Sequence, residues 1–198
     1  MNEASEGKPL LAYLTNVYPA PSHSFVRREI RELEQLGYSV RRFSVRRTAD
    51  SLKDPDDQAE AAQTTVLLKS GPLGLLSSVL RVALSSPVLF LKTWFAAAKL
   101  GRRSDRGLAY NLVYLAEACL LRGELTASRV DHLHAHFGTN STMVAMLCRM
   151  LGGPSFSFTV HGPEEFDKAT VLSLAQKIRH ASMVLAISQF GRSQLYRW

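Results

Sequence analysis

Cysteine is nearly absent: Cys119 and Cys148 are the only two in 198 residues. Both stand in apolar, helix-patterned stretches without CxxC spacing. That excludes a disulfide framework and a thiolate metal cluster, and leaves them as small buried hydrophobes in a reducing compartment. A G-x-G-x-x-G fingerprint and a Walker A loop are both missing, so no nicotinamide, flavin or P-loop site is encoded in its usual form. Missing too is an uninterrupted apolar run of the roughly 18–20 residues that cross a bilayer. The longest candidate, Pro72–Leu100, is broken by Arg81, Pro87, Lys92 and two Ser-Ser pairs, and reads as two helices. The polar, acidic start Met1–Pro9 has none of the pattern of a secretory signal. Internal repeats and low-complexity segments are absent.

What is present is an ordinary globular composition, 46% hydrophobic and 21% charged, of a length that suits one domain with an appendage. The net charge of +7 favours acidic partners: phosphorylated small molecules, an anionic membrane or nucleic acid. The pairs Arg27-Arg28, Arg41-Arg42, Arg46-Arg47 and Arg102-Arg103 lack interleaved aromatics on a strand face and fit no nucleic-acid module, so nucleic acid is set aside. Arg102-Arg103 follows an apolar helix bearing Trp94 and Phe95, which suits a helix lying on an anionic membrane. The plainer reading is a solvated face with an aromatic core stripe.

Apolar runs bounded by turn residues predict strands at Leu10–Thr15, Val40–Val45, Thr64–Leu68, Val130–Phe137, Phe156–Val160 and Met183–Ile187. Val40–Val45 alternates apolar and basic residues, as a half-exposed strand does. Between the strands, helical spacing predicts Phe25–Leu36 with Ser24 as N-cap and Gly37 as stop. Further helices follow over Gly71–Leu100, Arg106–Arg122, Ser141–Leu151 and Thr170–Ala181, and one opens at Ser188. Asp50–Gln63 reads as an acidic surface loop. Strands alternating with helices give the fold class α/β: a Rossmann-like, mostly parallel sheet with helices on both faces. The helices of 72–122 form an insertion.

Two strand ends carry the candidate chemistry. His132, His134 and His136 share one strand face, because side chains alternate with period two. His161-Gly162 closes a second strand, and ligands of open α/β sheets bind outside the carboxyl ends of the strands. Glu164 and Glu165 follow as a possible acid/base pair or as solvated loop residues. The three-histidine strand also fits a metal-dependent hydrolase, although a (β/α)8 barrel needs about 250 residues and further ligands. Strand histidines bonded to backbone are the simpler reading. The loop Ser22-His23-Ser24 opens a helix whose free N–H groups suit phosphate, or is a plain cap.

Together these motifs resemble family 4 glycosyltransferases of the bacterial exopolysaccharide and colanic-acid type. The likeness rests on Tyr18-Pro-Ala-Pro-Ser-His-Ser-Phe25 with its helix, His132-Leu-His-Ala-His-Phe-Gly138, Phe158-Thr-Val-His-Gly-Pro-Glu164 and Val184-Leu-Ala-Ile-Ser188. His23 stands where relatives often have Glu, and Glu164 where they have Asp. The resemblance implies the N-terminal, acceptor-side half of a GT-B fold, cut before a donor-binding C-terminal domain that carries a Glu-x7-Glu motif. It implies a retaining transfer from a nucleotide-sugar co-substrate to a saccharide or lipid-linked acceptor, with no cofactor and no metal. His161 becomes the catalytic residue, with Ser22, His23, Ser24, His134, His136, Gly162 and Glu164 binding substrate. It also implies a cytoplasmic protein, peripheral at the inner membrane face, and inactive as this chain alone. The alternative from another class is a non-catalytic binding or membrane-docking remnant.

Overall fold

The computed structural model describes residues 8–48 and 52–198. Residues 1–7, read as lacking a secretory signal, and residues 49–51, at the start of the expected acidic loop, lie outside the described residues.

Six strands form one all-parallel sheet in the order β3-β2-β1-β4-β5-β6. They are β1 (Leu10–Val17), β2 (Ser39–Arg46), β3 (Thr64–Val66), β4 (His132–His136), β5 (Ser155–Val160) and β6 (Met183–Ala186). The nine helices of the described residues are α1 (Ser24–Gln35), α2 (Pro55–Gln63), α3 (Gly71–Ser85), α4 (Pro87–Gly101), α5 (Gly107–Ala127), α6 (Asn140–Met150), α7 (Pro163–Asp167), α8 (Leu174–His180) and α9 (Gln189–Leu195). Short 3₁₀ turns at Pro21–His23 and Leu67–Ser70 lead into α1 and α3.

The α/β class is therefore a Rossmann-like one, with apolar packing on both sheet faces. One face carries the large core: Leu14, Phe43, Leu133, Phe156 and Phe158 pack with residues of α3 to α6 and with Leu174 of α8. Opposite it lies a smaller cluster of Tyr13, Tyr18, Val26, Ile30 and Val40 under α1. At Gly37, φ is +83°, and three backbone bonds from Leu36, Gly37 and Tyr38 close the end of α1, as expected of a glycine stop.

Three local expectations need correction. Ser24 is the first residue of α1 and His23 the N-cap, without a side-chain cap bond, because Pro21–His23 has already begun to coil. β2 is mostly buried: Arg42 lies inside, bound to Glu34 at 2.6 Å and Glu60 at 2.9 Å, so its charge did not mark an exposed face. The acidic stretch forms α2 from Pro55, since Asp54 caps it by accepting the Asp56 N–H and Pro55 fits the first helical position. The acids of α2 then meet Arg27, Arg31 and Arg42.

The stretch Leu67–Ser85 is long and apolar enough to cross a membrane by composition, at mean hydropathy 1.3. It is not one straight span, because it breaks at Gly71 into a turn and α3, and Leu67 and Val82 enter the core.

Candidate functional site

β1 and β4 are neighbours whose chain connections leave in opposite directions, and that divergence opens a crevice at their carboxyl ends. Register sets what lines it. Tyr13 lies beside His134, and β4 pairs with β5 so that His134 faces Ser157 and His136 faces Thr159. His136 is thus the last residue of β4, and His161 immediately follows β5. Their rings meet, with His136 Nδ1 3.0 Å from His161 Nε2. His132 opens the strand, away from that edge.

The three β4 imidazoles do share one face, but their partners are side chains, not backbone. His132 binds the hydroxyls of Ser155 (2.9 Å) and Ser157 (2.7 Å), and His134 those of Ser157 (2.8 Å) and Thr159 (3.0 Å). His136 Nε2 is buried without a hydrogen-bond partner among the described residues, 3.6 Å from Glu29 Oε2. Glu29 in turn accepts the Tyr13 hydroxyl at 2.5 Å. Burial, helped by neighbouring imidazoles, pushes His134 down to about 4 and His136 to about 2. Burial also lowers His161, partly offset by Glu165, and lowers His23. Near neutral pH this edge presents neutral rings, which give and take hydrogen bonds but carry no charge.

Aromatic packing holds the cluster. His161 lies 4.5 Å from the Phe137 ring and 4.8 Å from the Phe25 ring, and His23 packs 5.5 Å from Phe137. Phe137 itself sits at φ +68°, a left-handed conformation that costs a bulky residue roughly 1–2 kcal/mol. Its N–H donates to Thr159 O at 2.9 Å, and Thr142 Oγ1 donates to its carbonyl at 2.5 Å. Those bonds aim the ring across the crevice.

Glu165 joins the two strand-end loops. Its carboxylate accepts the N–H groups of His161 (2.5 Å), Gly162 (2.9 Å) and Gly138. Lys177, buried on α8, donates to the carbonyls of Gly138 (2.8 Å) and Thr139 (2.7 Å). Burial pulls its ammonium down to about 7 against the pull of Glu165. Over these loops lies a cavity of about 450 Å³. Phe137, Tyr114, His161 and Gly162 line it, with Glu164 and Arg106 at its charged parts.

Of the residues singled out by sequence, His161, Gly162 and Glu164 line this cavity, and His136 stands directly behind His161. His134 lies one pleat below, its nitrogens both taken. Ser22, His23 and Ser24 sit across the crevice at the start of α1, His23 anchored by Nδ1 to Val17 O at 3.0 Å and Ser22 exposed. Sequence reasoning missed the roles of Glu165, Lys177, Glu29 and Tyr13. One signal was available: Glu165 is three residues past Gly162 and one turn into a Pro-started helix, the capping-box position.

A candidate metal group among the described residues is Glu29, His134 and His136, whose ligand atoms lie within 4.8 Å of one another. Because both His134 nitrogens are occupied by hydroxyls, two free donors remain, fewer than the three or four protein ligands of zinc sites. The residues do not fit a resident metal. Compared with known proteins, the chain matches no family model and no curated protein.

Proposed function

We propose that this chain is the N-terminal, acceptor-side domain of a retaining family 4 glycosyltransferase of the bacterial polysaccharide-building type, which works with a donor-binding C-terminal domain. The observation that carries the reading is the meeting of His161, Gly162, His136 and Phe137 at the carboxyl edge beside the β1/β4 divergence. These are the motif residues of the resemblance, and they come from two strands 25 residues apart. A crevice of aromatic rings, neutral imidazoles and a few charged groups suits a sugar, which offers hydroxyls to polar groups and C–H faces to rings.

In this reading the His161 imidazole, fixed through Nε2 by His136, offers Nδ1 to a hydroxyl of the donor sugar and orients its reacting carbon. Glu164 accepts a hydroxyl of the sugar, and the Phe137 and Tyr114 rings shape the walls. Stabilisation of the departing diphosphate, the main source of acceleration in such a transfer, comes from cationic groups of the other domain. One observation favours the second reading, a binding module without turnover. Glu165 already occupies the His161 and Gly162 N–H groups that could otherwise hold a phosphate.

Titration of the purified chain with a panel of nucleotide-sugars and saccharides, followed by NMR of the histidine rings and the Gly162 amide, tests the shared site. Saturable shifts at His161, lost in His161→Ala but kept in His132→Ala, are expected. Absence of any shift at His161 across the panel overturns both readings. Joined to a donor-binding domain, His161→Ala should lower transfer about 10²–10³-fold, the scale of a lost transition-state contact. A silent wild-type assembly that still binds selects the second reading.

A further inference from the structure

We propose that Glu29, acting through His136, fixes the tautomer of His161, so that this ring meets a ligand in the cavity as a hydrogen-bond acceptor. The inference rests on the reading of His161 as a ligand-facing residue and deepens it by naming the polarity of the contact. Glu29 stands on the second turn of α1, the helix that packs over Tyr13. The Tyr13 hydroxyl donates to its Oε1 at 2.5 Å, and its Oε2 lies 3.6 Å from His136 Nε2. From there the line of groups continues through His136 Nδ1 to His161 Nε2 at 3.0 Å. The last atom, His161 Nδ1, has no partner among the described residues, and its ring lines the cavity. Glu29 touches nothing in the cavity itself, which makes it a positioning residue.

A neutral imidazole carries one N–H and one lone pair, so the His136–His161 pair admits two polarities. In the first, His136 turns Nε2–H toward Glu29 and its Nδ1 accepts from His161 Nε2–H, which leaves the His161 Nδ1 lone pair for the cavity. In the second, both protons sit on Nδ1, and a buried lone pair of His136 faces a carboxylate. Charge decides between them: the carboxylate attracts an N–H and repels a lone pair, and burial strengthens the difference. The other close neighbours of the His136 ring are the rings of Tyr13, Phe25 and His134, and both His134 nitrogens are taken up by hydroxyls. None of them supplies a donor that would rescue the second polarity. Burial holds His136 and His161 below the ordinary histidine value, so neither ring is charged near neutral pH. A second cavity residue repeats the polarity. Asn111 is fully buried, donates its Nδ2 to Gly107 O at 3.0 Å and keeps Oδ1 without a partner among the described residues. Unmatched acceptors at two points of the lining call for a ligand that brings its own O–H or N–H groups, and disfavour a phosphate oxygen at either point.

The test is long-range proton–nitrogen NMR of the histidine rings in the whole, ligand-free chain near neutral pH, which reads each tautomer directly. His136 and His161 should both carry the proton on Nε2 in the wild type. Glu29→Gln keeps the shape and removes the charge, so it should move the His161 tautomer ratio toward Nδ1–H by about fivefold or more, the scale that separates a charged from a neutral acceptor. Glu32→Gln, the same charge removed from an exposed position of the same helix, should leave both rings as they are. A wild-type His161 protonated on Nδ1 overturns the proposal whatever the variants do. So does an unchanged ratio in Glu29→Gln with native circular dichroism, or an equal shift in Glu32→Gln. Because the tautomers are read without ligand, their failure is distinct from failure of the crevice reading, which the panel titration decides.

Discussion

The α1–β2–α2 corner and the α3–α4 pair are both rich in basic residues, yet they handle charge in opposite ways. In the first, Arg27, Arg31 and Arg42 meet Asp54, Asp56, Asp57, Glu34 and Glu60. In the second, six basic groups on and flanking the two helices stand beside outward leucines with no carboxylate partner among the described residues. A count of charges cannot separate these cases. Positive residues whose partners lie within the chain are part of the fold, and those without partners face outward to whatever the protein meets.

The largest effect should come from removing a partner in the matched corner. Glu60 is buried and holds both Arg42 and the Tyr18 hydroxyl. Glu60→Ala strips the Arg42 Nε and the Tyr18 hydroxyl of their buried carboxylate, leaving Glu34 to hold the guanidinium alone, and should cost about 3–5 kcal/mol in urea unfolding. Lys92→Ala in the unmatched pair should stay within about 0.5 kcal/mol. Equal losses would erase the distinction between the two regions.

Lowering the pH probes the sheet face between them. A histidine whose folded value lies below its unfolded 6.5 favours the neutral form in the fold. Stability is therefore full above about pH 6.5 and is lost as the pH falls, because the unfolded chain takes up the proton first. With His134 at about 4, the loss by pH 4 is about 3 kcal/mol from that group, and His136, lower still, adds to it. His134→Asn should flatten the slope, as read from unfolding midpoints between roughly pH 7 and roughly pH 4.

A smaller effect, of opposite sign, lies under the α3–α4 pair. Glu117 on α5 is fully buried, and neither carboxylate oxygen has a hydrogen-bond partner among the described residues. Burial raises it to about 7, opposed by Arg46. The folded state holds the proton longer than the unfolded chain, so this group lowers stability as pH rises from about 4.5 to 7, with the deficit constant above. Glu117→Gln should gain about 3 kcal/mol at about pH 8 and leave stability at about pH 4 unchanged. A loss at the higher pH would mean that the carboxylate is held by a charge partner after all.

The strands, their parallel order in pairs and the glycine stop at Gly37 were legible because each depends on local pattern. So was the common edge of His136 and His161, since strand direction and period two fix it. The fate of Arg42 was not, because its partners Glu34 and Glu60 lie 8 and 18 residues away and only the sheet brings them inward. α2 was hidden by its acidity, which resembles a loop until Arg27 and Arg31 are placed opposite. Lys177 was missed for the same reason: its partners are backbone carbonyls 38 and 39 residues earlier, which no motif announces, whereas Glu165 had a local signal in its capping-box position and only its reach to Gly138, 27 residues back, was hidden.

The hydroxyl of Ser157 touches both His132 and His134 but has one hydrogen to give. If it donates to His134 Nδ1, it must receive from His132 Nε2, and His134 must then donate onward to Thr159. If it donates to His132, every bond in the row reverses, from Thr159 back to Ser155. Each neutral imidazole has one N–H and one lone pair, so the two rings adopt the same tautomer and the row has two polarities, like a line of dipoles aligned head to tail. A proton that lands on either ring makes both of its nitrogens donors, so the bonds on its two sides point away from it and one part of the row must reverse.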